Sequence, residues 1–146
     1  MAMSLEALVG AQLTVGIPGT EATVEVIEHL RAIHTQSVIV FERNFASPEQ
    51  FLHLIQQLEA ALERRLLVMV DHEGGRVIRF RQGVTQFPAA FSAGQANDPA
   101  AIERQGMVEA QELKRLRTQV NLAPCMDVLV EGSDPIIGDR SYGSDS

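Results

Sequence analysis

Five consecutive apolar residues, Leu66-Leu67-Val68-Met69-Val70, run straight into Asp71-His72-Glu73-Gly74-Gly75. A run without polar alternation suits a parallel strand buried on both faces rather than an antiparallel strand with one wet side. Gly74 and Gly75 end it. Strands and helices alternate around this run, as a parallel sheet requires.

Upstream, Leu13 to Ile17 reads as a first strand that stops at Pro18-Gly19-Thr20. Thr20 is placed to cap a helix with Val24, Ile27, Leu30 and His34 at helical spacing. Ser37 to Phe41, rich in β-formers, reads as a second strand. It crosses Glu42-Arg43-Asn44 to Ser47-Pro48-Glu49-Gln50, where Ser47 caps, Pro48 sits at the first helical position and Gln50 closes a capping box. The helix that follows carries Phe51, Leu54, Ile55, Leu58 and Leu62 on one face, a stripe that should pack on a sheet. Beyond the third strand comes a long excursion through Gly83 and Pro88. Asp98-Pro99 then starts a helix with Ile102, Met107, Ala110 and Leu113, and Val120 to Ala123 makes a fourth strand.

Four strand-and-helix beats imply an α/β chain of parallel (β/α) units with helices outside, either doubly wound or part of a (β/α)8 barrel. Periodicity does not choose between them. A complete barrel takes about 250 residues, so four units in 146 residues would be a partial TIM barrel, about half of a (β/α)8 barrel. No low-complexity tract or Pro/Gly/Ser linker interrupts residues 1–146, which read as one unit.

Charge narrows the partners. Twelve Lys and Arg against 19 Asp and Glu give a net charge of -7, which repels nucleic acid and anionic lipid over most of a surface. The N-terminus lacks the basic start and long apolar core of a signal peptide, and no run of about 18 apolar residues occurs. A single cysteine, Cys125, cannot form an internal disulfide and is compatible with the cytoplasm. The expectation is a cytoplasmic protein with no membrane and no nucleic-acid partner.

Polar residues cluster directly after the strands, where parallel α/β folds place their sites: Glu42-Arg43-Asn44, then Asp71 to Arg76, then Asp127. Side chains alternate along a strand, so Leu67, Met69 and Asp71 share one direction. If Leu67 and Met69 fill a barrel, Asp71 stands above them at its mouth. Asp71 is then either a turn residue opening a glycine corner or a ligand contact. The glycines permit φ > 0 or close approach of backbone to a ligand, and Arg76, Arg79 and Arg81 supply charged donors; a solvated basic loop is the alternative for Arg76 and Arg81.

Other chemistries fit less well. His72 points away from Asp71 and Glu73 in an extended chain, which argues against a metal site at that triplet. Gly16-Ile17-Pro18-Gly19-Thr20 has neither the dinucleotide nor the Walker spacing and reads as a turn. Cys125, beside Pro124, reads as a packed thiol rather than a nucleophile, and His29, His34 and His53 as surface or packing residues. No cofactor is expected.

The segments VDHEGGRVIRFRQGVTQFPAA (Val70 to Ala90) and NLAPCMDVLVEGSDPIIGDRSYGSD (Asn121 to Asp145) resemble the paired signatures of glycoside hydrolase family 3, D-x-E-G-G-R-V-x-R and N-x-A-P-x-x-D-V followed by G-x-R-S-[FY]. IVFERNFASPEQFLHLIQQL (Ile39 to Leu58) resembles the strand, loop and helix before the first signature. The D-x-E-G-G-R form is similar to the beta-N-acetylhexosaminidase branch, which implies terminal N-acetylglucosamine of peptidoglycan fragments as substrate. By motif position the resemblance implies that Asp71 hydrogen-bonds sugar hydroxyls and that Arg79 and Arg140 flank the same subsite, chemistry suited to a carboxylate acceptor and guanidinium donors. His72 stands where Gln is more usual.

Retaining glycosidases need a nucleophile and an acid/base around the scissile bond. In that family the acid/base belongs to a K-H-F-P-G-H-G loop and the nucleophilic Asp to a later strand end, and neither segment occurs here. The chain therefore reads as a truncated barrel with no catalytic residue of its own, ending at Ser144-Asp145-Ser146 where a cap for a further helix is expected. It is either a fragment of an enzyme or a noncatalytic half-barrel that binds sugar or assembles. An open half-barrel leaves sheet edges exposed, so self-association is a further expectation.

Overall fold

The computed structural model describes residues 3–144. Its elements are α1 (Leu5–Gly10), β1 (Thr14–Gly16), α2 (Val24–Ala32), β2 (Ser37–Val40), α3 (Pro48–Leu62), β3 (Leu67–Val70), α4 (Ala90–Ala96), α5 (Pro99–Arg115) and β4 (Val120–Asn121). The strands form one parallel sheet in the order β1-β2-β3-β4, with Ser37 opposite Leu67, Val40 opposite Val70 and Met69 opposite Val120. A doubly wound sheet reverses its strand order part-way. This one does not, so the sequential order favours the barrel-type reading.

Alternation along the strands explains where the core lies. Val38, Val40, Val68 and Val70 are wholly buried, and against them pack Leu30 of α2, Phe51, Leu54, Ile55 and Leu58 of α3 and Leu113 of α5. Each such side chain contributes about 1.5 to 3 kcal/mol by leaving water. The opposite face carries Thr14, Gly16, Ile39, Leu67, Met69 and Val120, and Leu67 is 41% exposed. The expectation that the Leu66–Val70 run is buried on both faces is thus corrected: helices cover one face and the other stands open.

Capping follows the sequence at two helices and departs from it at one. Ser47 accepts from the Gln50 amide at 3.2 Å, and Asp98 from the Ala101 amide at 3.0 Å, each before a proline. Gln50 does not close a box on Ser47. Its Oε1 accepts from the Ala46 amide at 2.8 Å, one residue earlier, while its Nε2 donates to the Thr20 carbonyl at 2.8 Å. Thr20 is therefore a loop residue tied to α3, and α2 is capped by Thr23, whose hydroxyl accepts from the Val26 amide. The buried stripe of α2 is accordingly Val26 and Leu30, whereas Val24 is exposed; His34, with φ 54°, lies beyond the helix end.

The strands are shorter than their apolar runs. β4 ends at Asn121; Leu122 still donates to the Val70 carbonyl at 2.7 Å, but Pro124 has no N–H to extend the ladder. In α5 only Leu113 is buried, and Met107 faces solvent. α1 and α4 were not anticipated. Asp145 and Ser146, read as part of a cap, lie outside the described residues.

Candidate functional site

The C-terminal ends of β2 and β3 bring Phe41, Asp71 and Arg79 together. Asp71 follows β3 on the open-face side, above Met69, as the strand parity expects. Its Oδ2 accepts from Arg79 Nη2 at 2.6 Å, with both side chains 24% exposed. The Arg79 guanidinium carbon lies 5.7 Å from the centre of the Phe41 ring and that of Arg43 lies 4.6 Å from it. Arg43 is itself anchored by Nε donating to the Ile17 carbonyl at 2.9 Å.

This pair keeps unused hydrogen-bonding capacity. Among the described residues Asp71 Oδ1 has no partner, and Arg79 Nε is buried without one. A guanidinium and a carboxylate fixed side by side, each side chain 24% exposed, present a charged donor and acceptor of the kind that sugar hydroxyls bond. An aromatic ring beneath them adds an apolar floor.

His72 works behind the pair. Its ring is buried and stacked on Phe80, centroids 5.7 Å apart and planes inclined by 27°, and Nδ1 accepts from the Arg79 amide at 3.1 Å. Burial and the neighbouring Arg79 charge push the imidazole below its ordinary value, keeping it neutral and able to accept. Phe80 in turn packs on Phe45 and Phe51, at 4.8 and 5.1 Å, so the loop carrying Arg79 is moored in the core. Among the described residues no three His, Cys, Asp or Glu side chains converge as metal ligands.

The glycines serve packing between loops rather than approach to a ligand. A Cβ on Gly74 (φ 94°) would lie 2.6 Å from the Pro88 carbonyl, and one on Gly75 (φ 55°) 2.7 Å from Ala89 Cβ. The other motif arginines pair within the chain. Arg140 donates from Nε and Nη2 to both oxygens of Glu73, at 2.9 and 2.8 Å. Arg76 pairs with Asp139 at 2.7 Å and bonds the Ile136 carbonyl, and Arg81 pairs with Glu42 at 2.5 Å. Thus Asp71 and Arg79 meet directly, whereas Arg140 joins the site through Glu73, two residues along. Cys125 Sγ lies 3.1 Å from Asp127 Oδ2, and burial together with the Asp127 carboxylate pushes the thiol above its ordinary value, which disfavours the thiolate. Sequence reasoning missed Phe41, Glu109 and the roles of Glu73 and Asn121; of these Glu73 and Asn121 carried a signal, as residues of the first and second motifs.

A sequentially ordered parallel sheet with helices on one face and its polar cluster at the strand ends is an α/β fold consistent with part of a (β/α)8 barrel. Residues 7–146 match the glycosyl hydrolase family 3 N terminal domain, and the chain belongs to that family. It is 38% identical over 138 residues to a beta-hexosaminidase of Idiomarina loihiensis, covering 92% of this chain and 41% of that one. It is 42% identical over 109 residues to a beta-hexosaminidase of Methylococcus capsulatus, covering 72% and 32%. A glycoside hydrolase family 3 beta-N-acetylglucosaminidase from Paenibacillus sp. superposes with a TM-score of 0.90 at 32% identity, over 97% of this chain and 28% of that one. NagZ from Neisseria gonorrhoeae, in complex with N-trifluoroacetyl-D-glucosamine, gives 0.80 at 32% identity, over 90% and 41%. The chain thus spans about two fifths of the length of the first of these curated relatives. No helix is long and apolar enough to cross a membrane among the described residues.

Proposed function

We infer that this chain supplies part of the sugar-binding end of a retaining glycoside hydrolase that removes terminal beta-linked N-acetylglucosamine from peptidoglycan-derived or related glycosides. The observation that carries the reading is the Asp71–Arg79 pair at the strand ends, both side chains 24% exposed and Asp71 Oδ1 open. Its support from outside the chain is the Neisseria relative in complex with an N-acylated glucosamine. In this reading Asp71 accepts from sugar hydroxyls, Arg79 and Arg140 donate to the sugar's oxygens, and the nucleophile and acid/base come from outside residues 1–146. Residues 1–146 are then the N-terminal part of the catalytic barrel, working in the cytoplasm without a cofactor.

The test is a titration of this chain with N-acetylglucosamine, followed by NMR at Asp71, Arg79 and Arg140. Saturable shifts confined to the strand-end loops, reduced in Asp71→Asn, are expected. Shifts scattered over the surface, or unchanged in that variant, overturn the assignment.

A further inference from the structure

Asp71 and Arg79 meet on the open side of the sheet, yet what holds them lies on the helix side. Asn121, the last residue of β4, turns its side-chain amide onto the backbone of His72. Oδ1 accepts from the His72 N–H at 2.9 Å, and Nδ2 donates to the His72 carbonyl at 2.9 Å. The same Nδ2 donates to Glu109 Oε1, on α5, at 2.8 Å. A carboxamide has one oxygen and two N–H donors. Only one of its two flipped orientations satisfies all three contacts; the His72 N–H and carbonyl require it, and the Glu109 acceptor reinforces it and holds the amide from the helix side. The side chain thereby takes over the ladder that Pro124 cannot continue.

His72 is the point where both site residues are tied down. Asp71 precedes it in the chain, and Arg79 gives its amide hydrogen to the His72 ring at 3.1 Å. Glu109 is half-buried in a cavity it shares with Glu73 and Tyr142, and it takes no part in the sugar contacts assigned above. We propose that Glu109 is a positioning residue for the Asp71–Arg79 pair, acting through the Asn121 amide on the backbone of His72. Its value to function rests on the sugar-binding reading of that pair; its geometry does not, and is measured without sugar.

Titration supports the placement. Burial is the main cause that pushes the Glu109 carboxyl up to about 7, opposed by the Asn121 bond and reinforced by Glu112 on the same helix. The other titratable groups facing it are Glu73, from the loop after β3, and Tyr142, from the C-terminal segment. A carboxyl poised there reports its own state to any amide coupled to it.

The experiment compares this chain as wild type, Glu109→Gln and Glu109→Leu by NMR, without sugar. Glutamine retains an oxygen that accepts from Asn121 and should keep the His72 and Arg79 amide signals of the wild type. Leucine should displace both signals while those of Val38 and Leu58, in the core, stay put. In the wild type the Asn121 side-chain signals and the His72 amide should titrate with a midpoint near 7, and Glu109→Gln should abolish that step. Unmoved His72 and Arg79 amides in the leucine variant overturn the proposal. Should that variant not fold, absence of the wild-type titration step at His72 overturns it equally. Adding N-acetylglucosamine to the same samples separates the two claims. No binding by the wild type removes the sugar assignment and leaves the amide shifts to judge the positioning role. Binding weakened about tenfold by leucine but not by glutamine is the expected result; equal binding by all three overturns the role in function.

Discussion

Arg140 and Glu73, 67 residues apart in the chain, form a two-point contact in which both carboxylate oxygens accept from one guanidinium, at 2.9 and 2.8 Å. Glu73 belongs to the first family motif and Arg140 to the second. A second bridge runs close by, from Arg76 to Asp139. The two motif loops are therefore latched to each other twice, with charge alternating between them.

That latch predicts coupling. The Glu73 side chain is 7% exposed and that of Arg140 25%, so the pair should exceed a surface bridge in worth. Glu73→Gln and Arg140→Met should each lower stability by about 2 kcal/mol, and the double variant by little more than either. Urea unfolding of the four species measures it. Strictly additive losses would dissolve the latch.

Acidity should act on this fold from two sides. Glu109, raised from 4.5 to about 7 by burial, binds more protons folded than unfolded between those values. Its contribution is complete below 4.5 and is lost as pH rises through about 7. After discounting for its partial exposure, the loss is about 1 kcal/mol. His72 is lowered from 6.5, chiefly by burial, so its contribution is present above 6.5 and is lost as the solution is acidified further. Melting temperatures from pH 5 to 8 should thus show Glu109→Gln gaining on the wild type by about 3 °C toward the alkaline end. Parallel curves for the two proteins would contradict the shift assigned to Glu109.

Asp71→Ala and Arg79→Ala should weaken sugar binding by about 1 to 3 kcal/mol each while leaving melting within about 1 kcal/mol of the wild type, because both side chains stand at the sheet's rim and not in its core. Titration calorimetry with N-acetylglucosamine, in this chain or in a longer protein containing it, is the measurement. Unchanged affinity in both variants removes the pair from the site.

The isolated chain should hydrolyse no aryl N-acetylglucosaminide, since neither a K-H-F-P-G-H-G loop nor a later strand-end Asp occurs within it and loss of such groups costs orders of magnitude. Turnover that survives purification and vanishes in Asp71→Ala would show catalytic groups of its own.

The isolated chain should also self-associate. β1 and β4 are the outer strands of an open sheet; Leu13, Leu67 and Leu122 are 42%, 41% and 50% exposed. Such edges and faces invite pairing, with a two-fold dimer the simplest closed form. Light scattering across a concentration series should show mass rising with concentration. A monomeric mass at tens of micromolar, with no binding of a hydrophobic dye, would defeat the expectation.

Much of this was readable in advance, for identifiable reasons. The strands are legible because apolar runs end in polar residues, and parity alone sets Asp71 on the open side with Leu67 and Met69. Ser47-Pro48 and Asp98-Pro99 mark helix starts because each joins a capping side chain to a fixed φ. Thr20 misleads because a second threonine, Thr23, lies one short step nearer the helix, and the choice depends on the bond that Gln50 makes to Thr20. α4 is silent because Ala89, at its cap, makes no side-chain bond. The Glu73–Arg140 contact and the Glu109–Asn121 contact are invisible because both depend on tertiary approach, and a glutamate on a helix reads as solvated until the helix is docked.

The open face has a further consequence. At its floor the hydroxyls of Thr14 and Ser37 lie 2.7 Å apart beside Leu67; above them come Ile39, Met69 and Val120; at the rim stand Phe41 and Asp71. Charge is therefore confined to the rim, and the layers below it hold only hydroxyls and hydrocarbon. Anything that completes this sheet must carry the same sequence of layers at the same levels. A slip of two residues along any strand would set hydrocarbon against carboxylate.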